Sequence, residues 1–298
     1  MNTINIDGRR IAYLDIGRGV PVILAHCSSA SHREWTSLIA DLSTRYRVLA
    51  PDLIGYGQSE AWSNQQSLDP MADANVILGL AELAGGPVHL AGHSYGAAVA
   101  LEAARVLGRG TKSLTLVEPV AFHLLRQARR VAAWAEVCAV GGRVQAAVQM
   151  GRPRQAAAAY MSFWIGRMGW WVMPAKRRRA IVATVGKVAA EFGIMEEFQT
   201  TLAEYAGVGA PVRLIVGGRT RRPARAVTEV LMQVLPNAHD RVLPRAGHMS
   251  PYTHAADIRS LIVEHIDLCE TAMVPRHAAG RASGRFPWAA RPLRVSTS

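Results

Sequence analysis

One serine of the chain lies in a sequence pattern that is typical of a nucleophile. Gly92, Ser94 and Gly96 form the pattern G-x-S-x-G between an apolar strand candidate and an alanine-rich helix candidate. In that context the pattern predicts a sharp strand-to-helix turn that exposes the serine hydroxyl above a sheet. The N-terminus of the following helix favours negative charge at the same place. We therefore predict that Ser94 is a nucleophile rather than a structural serine.

A serine nucleophile needs a base to remove its proton, and histidine is the usual one. Of the ten histidines, His248 follows the last strand candidate, in a loop where it would face the serine. His26 lies in the first strand–helix loop, and we interpret it as a residue that organises this loop. His123 stands at the entry to a helical segment and is a candidate for substrate contact, with packing as the alternative.

Apolar strand candidates alternate with helix candidates along most of the chain. Asp7-Gly8 predicts a hairpin between the first two strands, and the later apolar runs are suited to strands that are buried on both faces. These later strand candidates are 20–25, 46–50, 88–91, 114–117, 212–216 and 241–243. The alternation predicts an α/β fold with a mostly parallel sheet covered by helices on both faces.

Two helix starts are predicted from capping signals. Ser31 and Glu34 form a capping-box pattern ahead of apolar residues at helical spacing. Asp69-Pro70 offers an N-cap and a proline for the first turn of a second helix. Further helix candidates follow at 95–107, 227–235 and 258–266.

Residues 121–207 interrupt the alternation of strands and helices. The segment is helix-rich in composition, carries a net charge of +7 and contains ten of the nineteen aromatic residues. Such an insertion between two strands is typical of a lid over a site at the strand ends, and a helical subdomain with its own core is the compatible alternative. Phe163 and Trp164 are the aromatic residues that we expect at a substrate pocket.

The positive charge of the chain is unevenly distributed. The formal net charge is +12, yet residues 1–120 carry −2 and residues 208–270 carry +2. Residues 271–298 carry +5 and mix Pro, Gly, Ala and Arg without apolar periodicity. We predict that they form a disordered, solvated tail, with electrostatic binding to an anionic surface as the alternative. A nearly neutral core without a binding motif argues against nucleic acid as a partner.

The composition also excludes several classes of protein. Half of the 298 residues are hydrophobic and 19% are charged, which excludes a disordered or fibrous chain. Cys27, Cys138 and Cys269 have no C-x-x-C spacing, so that neither a disulfide framework nor a zinc site is predicted. The N-terminus lacks the pattern of a signal peptide, and no apolar run has the length of a membrane span. We expect a soluble, cytoplasmic protein.

Taken together, the motifs resemble those of the α/β-hydrolase superfamily over residues 8–270. In chain order they are His26-Cys27-Ser28, Asp52-Leu53-Ile54-Gly55-Tyr56-Gly57-Gln58-Ser59, the turn at Ser94 and Gly247-His248. The resemblance implies a mostly parallel eight-stranded sheet, a serine–acid–histidine triad, a helical cap inserted after the sixth strand, and neither a metal nor an organic cofactor. It implies a core formed by 1–120 and 208–270, and a cap formed by 121–207.

The acid of the triad departs from the commonest pattern of that superfamily. The usual aspartate follows the seventh strand, where this chain has Thr220, and a threonine cannot stabilise an imidazolium as a carboxylate does. Some branches, such as several haloalkane dehalogenases, place the acid at the end of the sixth strand, and that position is Glu118 here. We therefore predict a triad of Ser94, Glu118 and His248. The alternative is that Glu118 pairs with an arginine of 219–225.

The resemblance also implies an oxyanion hole formed by two backbone N–H groups. The first belongs to Tyr95, the residue after the nucleophile, and the second to Ser28, in the loop after the third strand. Cys27 stands where the superfamily usually has glycine, so that we expect it to adopt a backbone conformation typical of glycine.

A serine at the turn excludes the usual chemistry of haloalkane dehalogenases and epoxide hydrolases, which use an aspartate there. We predict hydrolysis of a carboxylic ester of a small, apolar or aromatic substrate through an acyl-serine intermediate, without a cofactor. A carbon–carbon bond hydrolase and a cofactor-free perhydrolase are alternative enzymes. A hydrolase fold that binds a ligand without catalysis is the alternative from another class. The sequence leaves the oligomeric state open.

Overall fold

A nine-stranded sheet forms the centre of the computed structural model, which describes residues 1–63, 68–273 and 295–296. In chain order, the strands are β1 Asn2–Ile6, β2 Arg9–Ile16, β3 Pro21–Ala25, β4 Arg47–Pro51, β5 Val88–His93, β6 Thr111–Val117, β7 Val212–Gly217, β8 Ala238–Leu243 and β9 Val295–Ser296. Their order in the sheet is β8-β7-β6-β5-β3-β4-β2-β1-β9. The predicted eight-stranded, mostly parallel sheet is confirmed, with the two-residue β9 added beside β1.

The directions of the strands follow from their connections. The strands from β3 to β8 are parallel to one another, because each connection between them crosses over through helices. β1 and β2 form an antiparallel hairpin, and its turn residues Asp7 and Gly8 have φ angles of 51° and 81°. Positive φ at both central residues matches the twist of a two-residue hairpin turn.

Helices cover both faces of the sheet. In chain order, they are α1 Thr36–Leu42, α2 Ala72–Ala84, α3 Tyr95–Leu107, α4 His123–Gln127, α5 Val131–Gln149, α6 Pro153–Val172, α7 Ala175–Glu197, α8 Leu202–Tyr205, α9 Arg222–Val234, α10 Ser250–Thr253 and α11 Ala255–Met273. One buried cluster joins Ile23 and Leu90 of the sheet to α2, α3 and α9. A second cluster joins Val22 and Ala91, which point to the opposite face, to α1 and α11.

Helices α4 to α8 occupy the connection between β6 and β7, where the sequence predicts a helix-rich insertion. α5, α6 and α7 pack against one another. Their buried side chains, including Trp164 and Phe192, belong to the same apolar cluster as α3. α6 is kinked at Gly166, where φ is 76° and ψ is 164°. The insertion therefore shares its core with the sheet and its neighbouring helices.

Two helix starts differ from the sequence prediction. Ser31 caps a short 3₁₀ turn, but Glu34 does not reach back to it, because the Glu34 carboxylate accepts hydrogen bonds from residues elsewhere in the fold. α2 begins only after Met71. The Asp69 carboxylate accepts the Met71 N–H in a turn that precedes the helix, so that Pro70 lies outside the first helical turn.

The C-terminal tail predicted over 271–298 lies largely outside the described residues. α11 continues to Met273, and Val295–Ser296 pairs with β1. Within the part of the chain that the structure describes, no helix combines the length and the apolar character that a membrane crossing requires.

Candidate active site

The turn between β5 and α3 holds Ser94 in a backbone conformation that few residues adopt, with φ at 53° and ψ at −117°. A Cβ atom on Gly92 would lie 2.3 Å from the carbonyl oxygen of Gly96. A Cβ atom on Gly96 would lie 2.4 Å from the carbonyl oxygen of Ala25. Glycine is therefore required two positions before and two positions after the serine, and the turn presents Ser94 at the carboxyl end of β5.

His248, in the loop between β8 and α10, lies within hydrogen-bonding distance of that serine. Its Nε2 atom is 2.9 Å from the Oγ atom of Ser94. Ser94 and His248 are only 2% and 3% exposed, so that the prediction of an exposed hydroxyl is wrong. The reason is the helical segment, from which Trp164 stacks on the imidazole of His248 with ring centroids 3.5 Å apart.

Glu118 follows β6 with a φ of 49° and directs its carboxylate to the other nitrogen of His248. Its Oε1 atom accepts the Gly217 N–H at 2.6 Å, and its Oε2 atom lies 3.3 Å from Nδ1 of His248. Thr220, at the usual position of the acid, donates its hydroxyl to Oε2 of Glu118. Arg225 donates to backbone carbonyls of the same loop. Among the described residues, Glu118 therefore pairs with His248 and not with an arginine.

Burial and hydrogen bonding act in opposite directions on these two titratable groups. Burial raises the pKa of Glu118, but the hydrogen bonds from His248, Thr220 and Gly217 outweigh this effect and bring the pKa below its usual value. Burial lowers the pKa of His248, and the Glu118 carboxylate only partly offsets this effect. A neutral His248 with its proton on Nδ1, facing the acceptor carboxylate, leaves Nε2 free to take a proton from the serine hydroxyl.

A second carboxylate–imidazole pair lies directly behind His248. Oε1 of Glu34 is 2.6 Å from Nδ1 of His93, and Nε2 of His93 is 2.9 Å from the backbone carbonyl oxygen of His248. Burial lowers the pKa of His93, but the Glu34 carboxylate raises it further, so that the pKa lies above its usual value. Because both ring nitrogens face acceptors, His93 is held as an imidazolium that anchors the backbone of His248.

The same pair belongs to a set of potential metal ligands. In the described part of the chain, ligand atoms of Cys27, Glu34 and His93 lie within 4.8 Å of one another. The set does not fit a metal ion, since the Glu34 oxygens already accept hydrogen bonds from His93 and from the Cys27 N–H. Burial also raises the pKa of the Cys27 thiol well above its usual value, whereas metals bind the thiolate.

The two predicted oxyanion donors lie at the start of α3 and in the loop after β3. Tyr95 is the first residue of α3, where the N–H groups have no acceptor within the helix. Ser28 lines the same narrow cavity as Ser94. Cys27 does not adopt the conformation expected of it, because the positive φ of this loop, 57°, falls at Ser29 instead.

A buried polar network connects α7 to the same loop. The Ser28 hydroxyl donates to Oε2 of Glu191 at 2.5 Å, and the Tyr56 hydroxyl donates to Oε1 at 2.6 Å. Lys187, one turn earlier on α7, donates to Asp73 at 2.6 Å. Burial raises the pKa of Glu191 above its usual value, although Lys187 and the two hydroxyls oppose this effect. Lys187 Nζ also lies 3.5 Å from Oε1 of Glu191 and offers a countercharge to the ionised form of this carboxyl group.

A narrow cavity with a volume of about 10 Å³, room for about one water molecule, separates Ser94 from the helical segment. Its lining is mostly apolar and consists of Ser28, Ser94, Val120, Phe122, Tyr160, Trp164, Val188, Glu191, Phe192 and Met195. Of the three predicted pocket residues, the structure places Trp164 in this lining. Phe163 packs edge-on against Trp164, and His123 is buried behind the lining, with Nε2 2.9 Å from the Tyr205 hydroxyl. Phe163 and His123 are not among the residues that line this cavity.

Comparison with protein families gives a match to a family model described as "Alpha/beta hydrolase family" over residues 22–261. Among curated proteins, the pimeloyl-[acyl-carrier protein] methyl ester esterase of Methylococcus capsulatus is 38% identical over 101 residues, which are 34% of this chain and 37% of that protein. The dihydrolipoyllysine-residue acetyltransferase component of the acetoin cleaving system of Pseudomonas putida is 32% identical over 114 residues, or 38% of this chain and 30% of that protein. The chain thus matches about a third of the length of these relatives.

Solved structures resemble the chain over most of its length. A thermophilic esterase from Thermogutta terrifontis has a TM-score of 0.70 at 23% identity and covers 90% of this chain and 98% of its own. The enol-lactonase from Burkholderia xenovorans LB400 has a TM-score of 0.70 at 18% identity and covers 88% of this chain and 98% of its own. At these identities the likeness concerns the fold.

Proposed function

The chain belongs to the alpha/beta hydrolase family, and within it we propose a serine hydrolase that cleaves carboxylic esters of small, apolar or aromatic substrates. The observation that carries this proposal is the continuous contact from Ser94 through His248 to Glu118, with separations of 2.9 Å and 3.3 Å inside a buried site. An esterase is among the relatives by sequence, which supports an ester as the substrate.

In the proposed reaction, the Oγ atom of Ser94 attacks the ester carbonyl while Nε2 of His248 takes the hydroxyl proton. The N–H groups of Tyr95 and Ser28 stabilise the negative charge on the carbonyl oxygen. His248 then passes its proton to the leaving alcohol, and the acyl group remains on Ser94. Water attacks the acyl-serine with the same base, so that one water is consumed and an acid and an alcohol are released. Glu118 stabilises the imidazolium in both steps.

The cavity supports a neutral, apolar group on the substrate. Its walls are aromatic and aliphatic, and its polar wall on the α7 side is the carboxylate of Glu191. A carboxyl group in a buried wall disfavours a second negative charge beside it, so that we expect a neutral acyl group to enter this site more readily than an anionic one. In this proposal, residues 121–207 act as the cap that encloses the substrate.

The sequence alternatives share the same three residues and differ in the bond that is broken. No contact of the described residues favours a carbon–carbon bond hydrolase or a perhydrolase over an esterase.

The three cysteines are free thiols, which supports the proposed cytoplasmic location.

Covalent labelling of the serine tests the proposal directly. Wild-type protein and the Ser94→Ala variant are treated with a fluorophosphonate, and their turnover of p-nitrophenyl esters of increasing acyl length is measured. We expect labelling and turnover by the wild type, with a preference for short neutral acyl groups, and neither by the variant. Circular dichroism controls for folding. Wild-type protein that is folded but neither labelled nor active would favour the non-catalytic ligand binder instead.

A further inference from the structure

The C-terminal end of α6 exposes three large apolar side chains. Met168, Trp171 and Val172 are 75%, 76% and 73% exposed, and they lie within five consecutive residues. We call residues 167–179 the α6–α7 tip. Single exposed apolar residues are ordinary on protein surfaces, but a contiguous group of them marks a surface that contacts something apolar.

Positive charge surrounds this apolar group. Arg167, Lys176 and Arg179 are exposed on either side of it. The sequence has no Asp or Glu between Glu136 and Glu191, whereas it has nine Lys or Arg in that stretch. Within the described residues, none of the three exposed basic groups forms an ion pair. The tip therefore combines uncompensated positive charge with exposed tryptophan, valine and methionine.

We propose that the α6–α7 tip docks on the surface of an anionic lipid bilayer. Trp171 is of the residue type that prefers the membrane interface, where its ring enters the headgroup region. Lysine and arginine beside it attract anionic headgroups while their aliphatic stems contact apolar surface. Three apolar side chains are too few for a stable protein interface, which needs about 800 Å² on each partner, but they suffice for shallow insertion when several basic residues act with them.

The tip contacts the helix that follows the candidate base His248. Arg178 donates to the backbone carbonyl of Trp171 at 3.2 Å and so closes the turn. Arg177 stacks on the ring of Tyr252 at 4.3 Å, and Tyr252 belongs to α10, the helix that follows His248. An open cleft beside Gly166 continues to the loop 219–222, which adds further arginines. A bilayer bound at the tip therefore lies close along the chain to Trp164, which stacks on His248 beside Ser94.

This geometry points to esters that partition into lipid as substrates, a step that rests on the proposed function. The docking itself does not rest on it, because binding is measurable without turnover. The docking also requires no spanning helix, since the tip would lie in the interface and not cross the membrane.

Vesicle co-sedimentation of the full chain tests the docking. Vesicles of phosphatidylcholine alone are compared with vesicles that contain about one third phosphatidylglycerol, at about 0.1 M and about 1 M salt. We expect the wild type to bind the anionic vesicles and to be released by high salt. Replacing Met168, Trp171 and Val172 together with serine is expected to weaken binding at least about tenfold. The change Arg167→Gln, Lys176→Gln, Arg179→Gln is expected to weaken it about 100-fold, since each basic residue contributes a factor of about five.

The matched control replaces Val131 and Met150 with serine, because these exposed residues of the same helical segment lie outside the tip. It is expected to bind as the wild type does. The residues 271–298 are unchanged in every variant, so that their charge cannot explain a difference between variants.

Circular dichroism and turnover of a soluble ester confirm that each variant is folded, and the Ser94→Ala variant is expected to bind vesicles normally. The proposal is overturned if the wild type does not bind, if both tip variants bind as tightly as the control, or if the tip variants only convert a dimer to a monomer in light scattering.

Discussion

Replacing Glu118 with glutamine removes the carboxylate that faces His248 and keeps a side chain of nearly the same shape. In the Glu118→Gln variant the amide oxygen still accepts the Gly217 N–H, but the NH₂ group then faces Nδ1 of His248. An NH₂ group is a donor, so that it favours the tautomer with the proton on Nε2. That nitrogen can no longer take the proton of Ser94, and the imidazolium that forms in the reaction lacks its countercharge.

The size of the effect follows from the observed geometry. At the separation of 3.3 Å between Nδ1 and Oε2, and with an effective dielectric constant of about 20, the attraction between imidazolium and carboxylate is about 5 kcal/mol. Each 1.4 kcal/mol or so of lost transition-state stabilisation lowers the rate tenfold. We therefore expect Glu118→Gln to lower kcat by about 10³- to 10⁴-fold, which is the range of the corresponding Asp→Asn change in serine proteases.

Thr220 offers a graded test of the same assignment. Its hydroxyl donates to Oε2 of Glu118, so that Thr220→Val, which keeps the shape, removes one hydrogen bond to a charged group. A loss of about tenfold is expected. Thr220→Asp in the Glu118→Gln background is expected to restore part of the activity, because it returns a carboxylate to the same side of His248. The same aspartate beside an intact Glu118 is expected to lower activity, since two adjacent carboxylates repel.

The assay is kcat and kcat/KM for one soluble p-nitrophenyl ester over pH 5 to 9 or so, with each variant checked by circular dichroism. Glu229→Gln is the matched control, because it makes the same chemical change at an exposed position of α9 and is expected to leave kcat unaltered. Because Glu118 raises the pKa of His248, its loss should also move the acidic inflection of kcat/KM to lower pH. Wild-type kcat in Glu118→Gln, or an inflection that moves to higher pH, would refute the acid assignment.

Three further outcomes follow from the site. Burial lowers the pKa of His248, so that kcat/KM of the wild type should rise with pH through an inflection below the usual histidine value of about 6.5 and stay constant above it. The stacked indole of Trp164 favours the imidazolium form of His248. Trp164→Leu should therefore move this inflection to lower pH and reduce kcat. A shift of the inflection to higher pH would show that the indole acts only by excluding water. Glu191→Gln should improve turnover of p-nitrophenyl hemisuccinate relative to p-nitrophenyl butyrate by about tenfold. This factor corresponds to about 1.4 kcal/mol of relieved repulsion between the carboxylate of the substrate and that of Glu191. An unchanged ratio of the two turnover rates would place the acyl group away from α7.

Local sequence determines the parts of the site that depend on backbone conformation. Gly92 and Gly96 are recognisable because no other residue fits beside the turned Ser94, and His248 is recognisable from its position after the last parallel strand. Glu118 could be proposed from the sequence because it directly follows β6. These residues lie at strand ends, which a parallel sheet brings to one edge.

The residues that sequence analysis missed depend on contacts between distant parts of the chain. Glu191 meets Ser28 across 163 positions, and Lys187 meets Asp73 across 114 positions. Lys187 and Glu191 are four residues apart on α7, and this spacing alone is typical of an ordinary surface ion pair. Glu34 lies three residues after Ser31, which is the spacing of a capping box, whereas the fold brings His93 within reach of its carboxylate. Side-chain partners of this kind are decided by packing, and no local signal distinguishes them.

The neutral and the protonated forms of His248 are stabilised by different neighbouring groups. Burial and the neighbouring His93 imidazolium lower the pKa of His248, which keeps Nε2 unprotonated and ready to act as a base. Glu118 and the face of Trp164 interact most strongly with His248 after it has taken the proton. The groups that hold the resting base neutral are thus different from those that stabilise its protonated form. Because only interactions that strengthen in the transition state accelerate a reaction, Glu118 and Trp164 are the neighbours of His248 whose removal should lower kcat most.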